Sequence, residues 1–160
     1  MHMKILEIGK EFKIENVLSL RKKMTQQEIQ QEMMSIGEFL EQNSFKKNGP
    51  IVTATFAIEQ SNEQPLLDTE ILVPIDKPAN LYGKYKFKDV FHLINAVYAR
   101  HEGNPNTLQN TYNELNQYIS EKGLQPITAA YNVNVVDLNP GQSMDDMIVD
   151  VYVGVNPSIV

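Results

Sequence analysis

The sequence contains no cysteine, which excludes disulfides, thiolate-ligated zinc and thiol nucleophiles, and which suits a reducing cytoplasm. Histidine is scarce as well, with three residues in 160. His92 and His101 are too few for a zinc site, and neither belongs to an H-E-x-x-H pattern. No stretch reaches the ~18 apolar residues of a membrane span, and Met1-His2-Met3-Lys4 opens no signal-peptide core. A cytoplasmic chain without membrane insertion is the expectation.

Positive charge is also thin. Fourteen Lys and Arg stand against 20 Asp and Glu, a formal net charge of -6, and the longest basic run is Arg21-Lys22-Lys23. Binding to nucleic acid or to anionic lipid depends on Lys and Arg neutralising phosphate, so neither is expected as a direct partner. The glycines Gly37, Gly49, Gly83, Gly103 and Gly123 stand singly at turns and ends, which spells no phosphate-cradling loop. Only Gly154 falls inside a strand pattern. No serine sits in a G-x-S-x-G elbow, and Asp137, Asp145 and Asp146 lack the spacing and final glutamate of a calcium loop. No cofactor or metal is expected.

What remains is an ordinary globular composition, 42% hydrophobic and 21% charged, in a chain long enough for one core. Residues 12–22 are rich in strand formers and end at Thr25-Gln-Gln-Glu28, a capping box that starts a helix. Ile29, Met33, Ile36, Phe39 and Leu40 then recur as one buried stripe up to Asn43-Ser44. IVTATFAI (51–58) and LLDTEILVPI (66–75) read as a hairpin. A proline-bearing linker, 76–80, follows. The order then repeats: a strand within 82–100, a helix marked by Leu108, Tyr112, Leu115, Tyr118 and Ile119 with Gly123 at its end, and strands over 126–136 and 147–155 with a turn at Asn139-Pro140-Gly141.

The two closing strands match in text about eighty residues apart, Thr69-Glu-Ile-Leu-Val-Pro-Ile75 against Val149-Asp-Val-Tyr-Val-Gly-Val155. The pattern predicts a single α+β domain over 1–160, built from pseudo-repeats at about 12–76 and 82–155. Each repeat is a βαββ unit. Their strands are expected to form one antiparallel sheet, with both helices on one face and room for a pocket on the other.

The run from His101-Glu-Gly103 through Leu108, Tyr112, Leu115, Tyr118 and Ile119 to Gly123-Leu124-Gln-Pro126 resembles the second-half signature of the GyrI-like family. There an H-x-G turn leads into a helix with L, Y, L, Y and closes on G-L-x-P. That family includes gyrase-inhibitory proteins, multidrug-sensing domains of transcription regulators and stand-alone members, some assigned small-molecule hydrolysis. The resemblance implies a stand-alone effector-binding domain whose pocket takes bulky apolar, often cationic, molecules. The family's strand E-v-Y-L-x-D-P aligns with 134–140, which puts Asn134 at the glutamate position and Val136 at the tyrosine position. Both the cation-neutralising carboxylate and the acid/base candidate are replaced.

Alternation places Val149, Val151, Val153 and Val155 on one face of the last strand, and Thr69, Ile71, Val73 and Ile75 on the matching face of its counterpart. These eight should lie under the helices. Asn132 and Asn134 are assigned to the opposite face, because two amides beneath a helix would need buried partners. The expected ligand-binding set on the non-helical face is Glu70, Tyr82, Tyr85, Phe87, Asn132, Asn134, Asp150 and Tyr152, an aromatic wall with a few polar groups. The function expected is non-catalytic small-molecule binding or sensing, without a DNA-binding module and with no catalytic residue assigned. A protein-interaction module for a basic or cognate partner is the alternative, and a hydrolase stands third.

Overall fold

The computed structural model describes residues 6–61, 63–104, 107–135 and 146–156. Its elements run β1 (Leu6–Met24), α1 (Gln26–Gln42), β2 (Val52–Glu59), β3 (Leu66–Pro74), β4 (Lys86–Glu102), α2 (Leu108–Glu121), β5 (Gln125–Asn134) and β6 (Ile148–Asn156). The βαββ order occurs twice, so the chain is α+β, with two helices and six strands in antiparallel pairings among the described residues. The turn expected at 139–141 and the aspartates Asp137 and Asp145 lie outside the described residues. Two compact units emerge, Ile14–Phe91 on the one hand, and Met1–Lys13 with His92–Val160 on the other. Strand β1 is longer than the sequence suggested, β4 begins and ends a few residues later than expected, and each contributes residues to both units.

In the Ile14–Phe91 unit, β3 is flanked by β1, with Val17 opposite Pro74 and Met24 opposite Leu67, and by β2, with Val52 opposite Leu72. Helix α1 begins where the capping box set it. The Thr25 hydroxyl accepts the Glu28 amide at 3.2 Å, and the Glu28 carboxylate accepts the Thr25 amide at 3.1 Å. The Thr25 backbone amide, and after it the Thr25 side chain, hold the Glu28 carboxyl below its ordinary range. Ile29, Ile36 and Leu40 project from one stripe of α1 onto Leu18, Leu20, Ile71, Val73 and Ile75, while Thr69 is buried beside them in β3. Each large aliphatic side chain fully removed from water contributes about 1.5–3 kcal/mol, which is why the alternate residues of β3 choose this side.

The other unit repeats the plan. Strand β6 lies between β4, with Ala96 opposite Gly154 and Glu102 opposite Ile148, and β5, with Tyr131 opposite Tyr152. Leu115 and Ile119 of α2 pack on Val97, Ala99, Val149, Val151, Val153 and Val155, so the all-valine face is the helix-covered one. Helix α2 ends in a Schellman motif: the Gly123 amide reaches the Ser120 carbonyl and the Leu124 amide reaches the Ile119 carbonyl, both at 3.1 Å. Gly123 supplies the left-handed φ of +69° that this geometry needs.

His101 closes β4 as a structural histidine. It is 2% exposed, its Nδ1 lies 2.7 Å from the Thr111 hydroxyl and its Nε2 lies 3.0 Å from the Asn104 carbonyl. The ring thereby ties the start of α2 to the loop before it.

Candidate functional site

Residues directly opposite each other on antiparallel strands share a face. On the side of β6 away from α2 the register therefore gathers Tyr98 with Tyr152 and Arg100 with Asp150 across β4, and Tyr131 with Tyr152 and Val133 with Asp150 across β5. Asp150 is 8% exposed and would be costly to bury as a lone charge. It is not alone. Arg100 Nε donates to Oδ1 at 2.8 Å and Nη2 to Oδ2 at 3.1 Å, a fork that matches both carboxylate oxygens. The Tyr98 hydroxyl donates a third bond to Oδ1 at 2.8 Å.

Aromatic rings surround this triad. Phe12 of β1 stacks on Tyr152 with centroids 4.9 Å apart and an interplanar angle of 30°, and Tyr98 tilts against the same ring at 5.1 Å. Tyr131 is buried. Burial first, and then the bond to Asp150, push the Tyr98 hydroxyl up to about 12. Burial likewise raises Tyr152, with a further contribution from the Asp150 charge. The hydrogen bonds to Asp150 keep the Arg100 guanidinium charged beyond its already high ordinary value.

The Ile14–Phe91 unit meets the same problem differently. Arg21 stands opposite Glu70 as Arg100 stands opposite Asp150, yet Arg21 turns to Asp68, with bonds of 3.2 and 3.1 Å, and lies 3.9 Å over the Phe56 ring. Glu70, 7% exposed, is taken instead by the Lys88 ammonium at 2.9 Å. In both units the acid on the face away from the helix has an internal cation as partner.

No protein-family model matches the chain, and no curated protein matches it. Solved structures do. The C-terminal domain of EcmrR superposes with a TM-score of 0.78 at 15% identity, covering 98% of this chain and 98% of that domain. The chain has the EcmrR C-terminal fold. In the EcmrR–DNA complex the TM-score is 0.77 at 15% identity, and the match spans 98% of this chain but 58% of the EcmrR chain. Two further neighbours come from Listeria innocua, an uncharacterised conserved protein (TM-score 0.64, 15% identity, 92% of this chain and 93% of that one) and a hydrolase (0.60, 14%, 96% and 91%). At such identities the EcmrR-like likeness is one of fold.

Within this EcmrR-like fold the expected ligand-binding residues scatter. Glu70 in one unit, and Asp150 and Tyr152 in the other, occupy the face away from the helix, as alternation required. Tyr85 does not line that face: it is 6% exposed, belongs to the core beneath α1 and tilts against Phe39 at 4.9 Å. Phe87 packs against the same core. Tyr82 is 85% exposed.

The placement of the asparagines is corrected. Asn132 and Asn134 stand opposite Val151 and Val149, on the helix side, while Tyr131 and Val133 take the face assigned to the amides. The physical objection to an amide under a helix is met by a side chain that β-strand alternation does not reveal. The Tyr112 hydroxyl of α2 donates to Asn132 Oδ1 at 2.6 Å, and both asparagines remain only half-buried.

Phe12, Tyr98, Arg100 and Tyr131 escaped the sequence reading. The eighty-residue repeat held a signal for one of them, since Leu20-Arg21 and Ala99-Arg100 occupy matching places before their helices. Pairing each arginine with the acid of its closing strand would have found Arg100. Elsewhere among the described residues, a cleft of about 350 Å³ is lined by Thr25, Gln27, Ser61, Glu63, Gln64 and Leu66. Its hydroxyls are already committed, Thr25 to the helix cap and Ser61 to the Gln64 carbonyl. No group of three or more His, Asp or Glu among the described residues is arranged to hold a metal ion, and no helix there is long and apolar enough to cross a membrane.

Proposed function

We propose that this chain is a non-catalytic binding or sensory domain for a bulky aromatic small molecule, of the kind that serves transcription regulators as an effector-binding domain. The observation that carries the reading is the Arg100–Asp150–Tyr98 triad on the face away from α2, set among the rings of Phe12, Tyr152 and Tyr131. Aromatic surface with a few fixed polar groups is the usual make-up of a small-molecule site. The shared fold with the C-terminal domain of EcmrR, a protein found in complex with DNA, supports a regulatory setting.

Acid–base catalysis fits the triad poorly. A general base works best when its pKa lies near the operating pH and it can reach a substrate proton. Both oxygens of Asp150 accept bonds from Arg100, and burial pushes the Tyr98 hydroxyl up to about 12. Asp150 is thus committed to internal partners, and burial holds the Tyr98 phenol protonated.

Titration of the protein with a panel of soluble bicyclic and tricyclic aromatics, followed by NMR shifts of the tyrosine rings, tests the proposal. Saturable shifts at Tyr98 and Tyr152 are expected, and Tyr152→Ala should weaken binding roughly two- to tenfold, the worth of an aromatic pair. Uniformly unsaturable or absent shifts would overturn it.

A further inference from the structure

We infer that the molecule bound on this face is an uncharged planar aromatic and that Arg100 is the residue that excludes cations, an inference that rests on the binding reading above. Rings alone attract an organic cation through their quadrupoles, and an acid whose charge is free to face it adds the charge–charge attraction that favours a cation over a neutral ligand of the same shape. Asp150 has no such freedom. Its two oxygens accept three hydrogen bonds, two from the Arg100 fork at 2.8 and 3.1 Å and one from Tyr98 at 2.8 Å.

A quaternary ammonium entering here would have to displace the guanidinium, break two charge-assisted bonds and return none, since it carries no donor. The displaced Arg100 would also stay nearby and repel it. Lys10 and Glu7, both of which influence Tyr152, pair with each other at 2.6 Å.

The Ile14–Phe91 unit supports the inference independently. There the equivalent acid, Glu70, accepts a bond from the Lys88 ammonium at 2.9 Å. Two different internal cations filling the same role indicate that the face is built to be neutral. What it offers is ring surface, Phe12, Tyr98 and Tyr152, with Tyr98 already turned toward Asp150, so a flat uncharged ring system loses least on entering.

The test uses two probes of one shape and different charge, meta-tert-butylphenol and meta-hydroxyphenyl trimethylammonium, measured by NMR titration against the wild type, Arg100→Gln and Arg100→Lys. The wild type should prefer the neutral probe by at least about tenfold, or 1.4 kcal/mol. Arg100→Gln, which frees the Asp150 charge, should reverse that preference, and Arg100→Lys should keep it. Equal or tighter binding of the cation by the wild type would overturn the inference while leaving the aromatic site standing, and it decides the matter even if Arg100→Gln fails to fold. An unchanged preference in a folded Arg100→Gln would overturn the role of Arg100. Failure of both probes, and of the wider aromatic panel, to saturate any form would overturn the binding reading and the inference with it.

Discussion

Gly154 gives its amide proton to the Thr128 hydroxyl at 2.8 Å, and the methyl of the same threonine lies where a side chain at 154 would begin. A Cβ there would meet Thr128 Cγ2 at 2.8 Å and Leu93 Cδ2 at 3.6 Å. The contact sits where the β5–β6 register slips between Pro126 and Ala130, so a glycine inside β6 lets the irregular strand close down. Gly154→Ala is expected to destabilise the fold by about 1–3 kcal/mol through overpacking. Adding Thr128→Ser, which removes the methyl and keeps the hydroxyl, should restore part of that loss in urea denaturation. An equal loss in both would show that the methyl is not the obstacle.

Asp150→Asn tests the ion pair as a structural element. It leaves the guanidinium half of a charge-assisted pair without its counter-charge, and the expected cost is about 1–3 kcal/mol, toward the lower end because the Arg100 side chain is 36% exposed and water screens it. The double variant Arg100→Met, Asp150→Leu should lose less than the sum of the two single changes, because it leaves no orphan behind. Chemical denaturation of the four proteins closes the cycle, and simple additivity would show that the pair is uncoupled.

Alkaline pH should unlock Tyr98. Its folded pKa, about 12, lies above the ordinary 10.0 of a free tyrosine, so the folded state favours the protonated phenol. The associated stability is fully present below pH 10 and is lost as the pH rises toward 12. Stability followed across that window should fall less steeply in Tyr98→Phe than in the wild type, and ultraviolet absorbance should show one fewer late-titrating phenol. Identical slopes would mean that neither burial nor the bond to Asp150 holds the Tyr98 phenol protonated.

The Tyr112–Asn132 bond can be tested from either end. Burial pushes the Tyr112 hydroxyl up to about 12, and its 2.6 Å bond is what makes an amide tolerable beneath α2. Tyr112→Phe should cost about 0.5–1.5 kcal/mol. In Asn132→Ala the same Tyr112→Phe change should cost less. A Tyr112→Phe penalty independent of residue 132 would sever the link.

Much of the architecture could be read from local chemistry. The capping box Thr25–Glu28, the glycine that ends α2 and the alternation of valines in β6 each act within a few residues, where propensity and period are decisive. Strand ends were less legible. β1 begins at Leu6, well before the apolar run that announced it, with Ile8 half exposed in that stretch, because an extended backbone does not need side-chain burial along its whole length.

The candidate site shows the limit of one-strand reasoning. Alternation along β6 correctly set Asp150 and Tyr152 apart from the valines, but it holds no information about which residues of β4 and β5 stand opposite. A shift of one residue exchanges the two faces, and the cost of desolvation, which sets Asn132 and Asn134 away from the helix, cannot foresee the Tyr112 hydroxyl that serves one of them. Tyr85 and Phe87 were misplaced for a related reason, since an aromatic ring near a strand entry serves a core as readily as a ligand.

The sequence by itself determined the duplicated βαββ plan, the absence of cysteine chemistry, the helix stripes and the acid carried by each closing strand, all properties of composition or short-range period. The tertiary structure alone decided that Asp150 meets Arg100 and Tyr98, that Glu70 meets Lys88, and that an amide under α2 finds the Tyr112 hydroxyl. Those pairings join residues from different elements. They depend on register and on the reach of long side chains, and a buried charge selects its partner by proximity in space, whatever the distance along the chain.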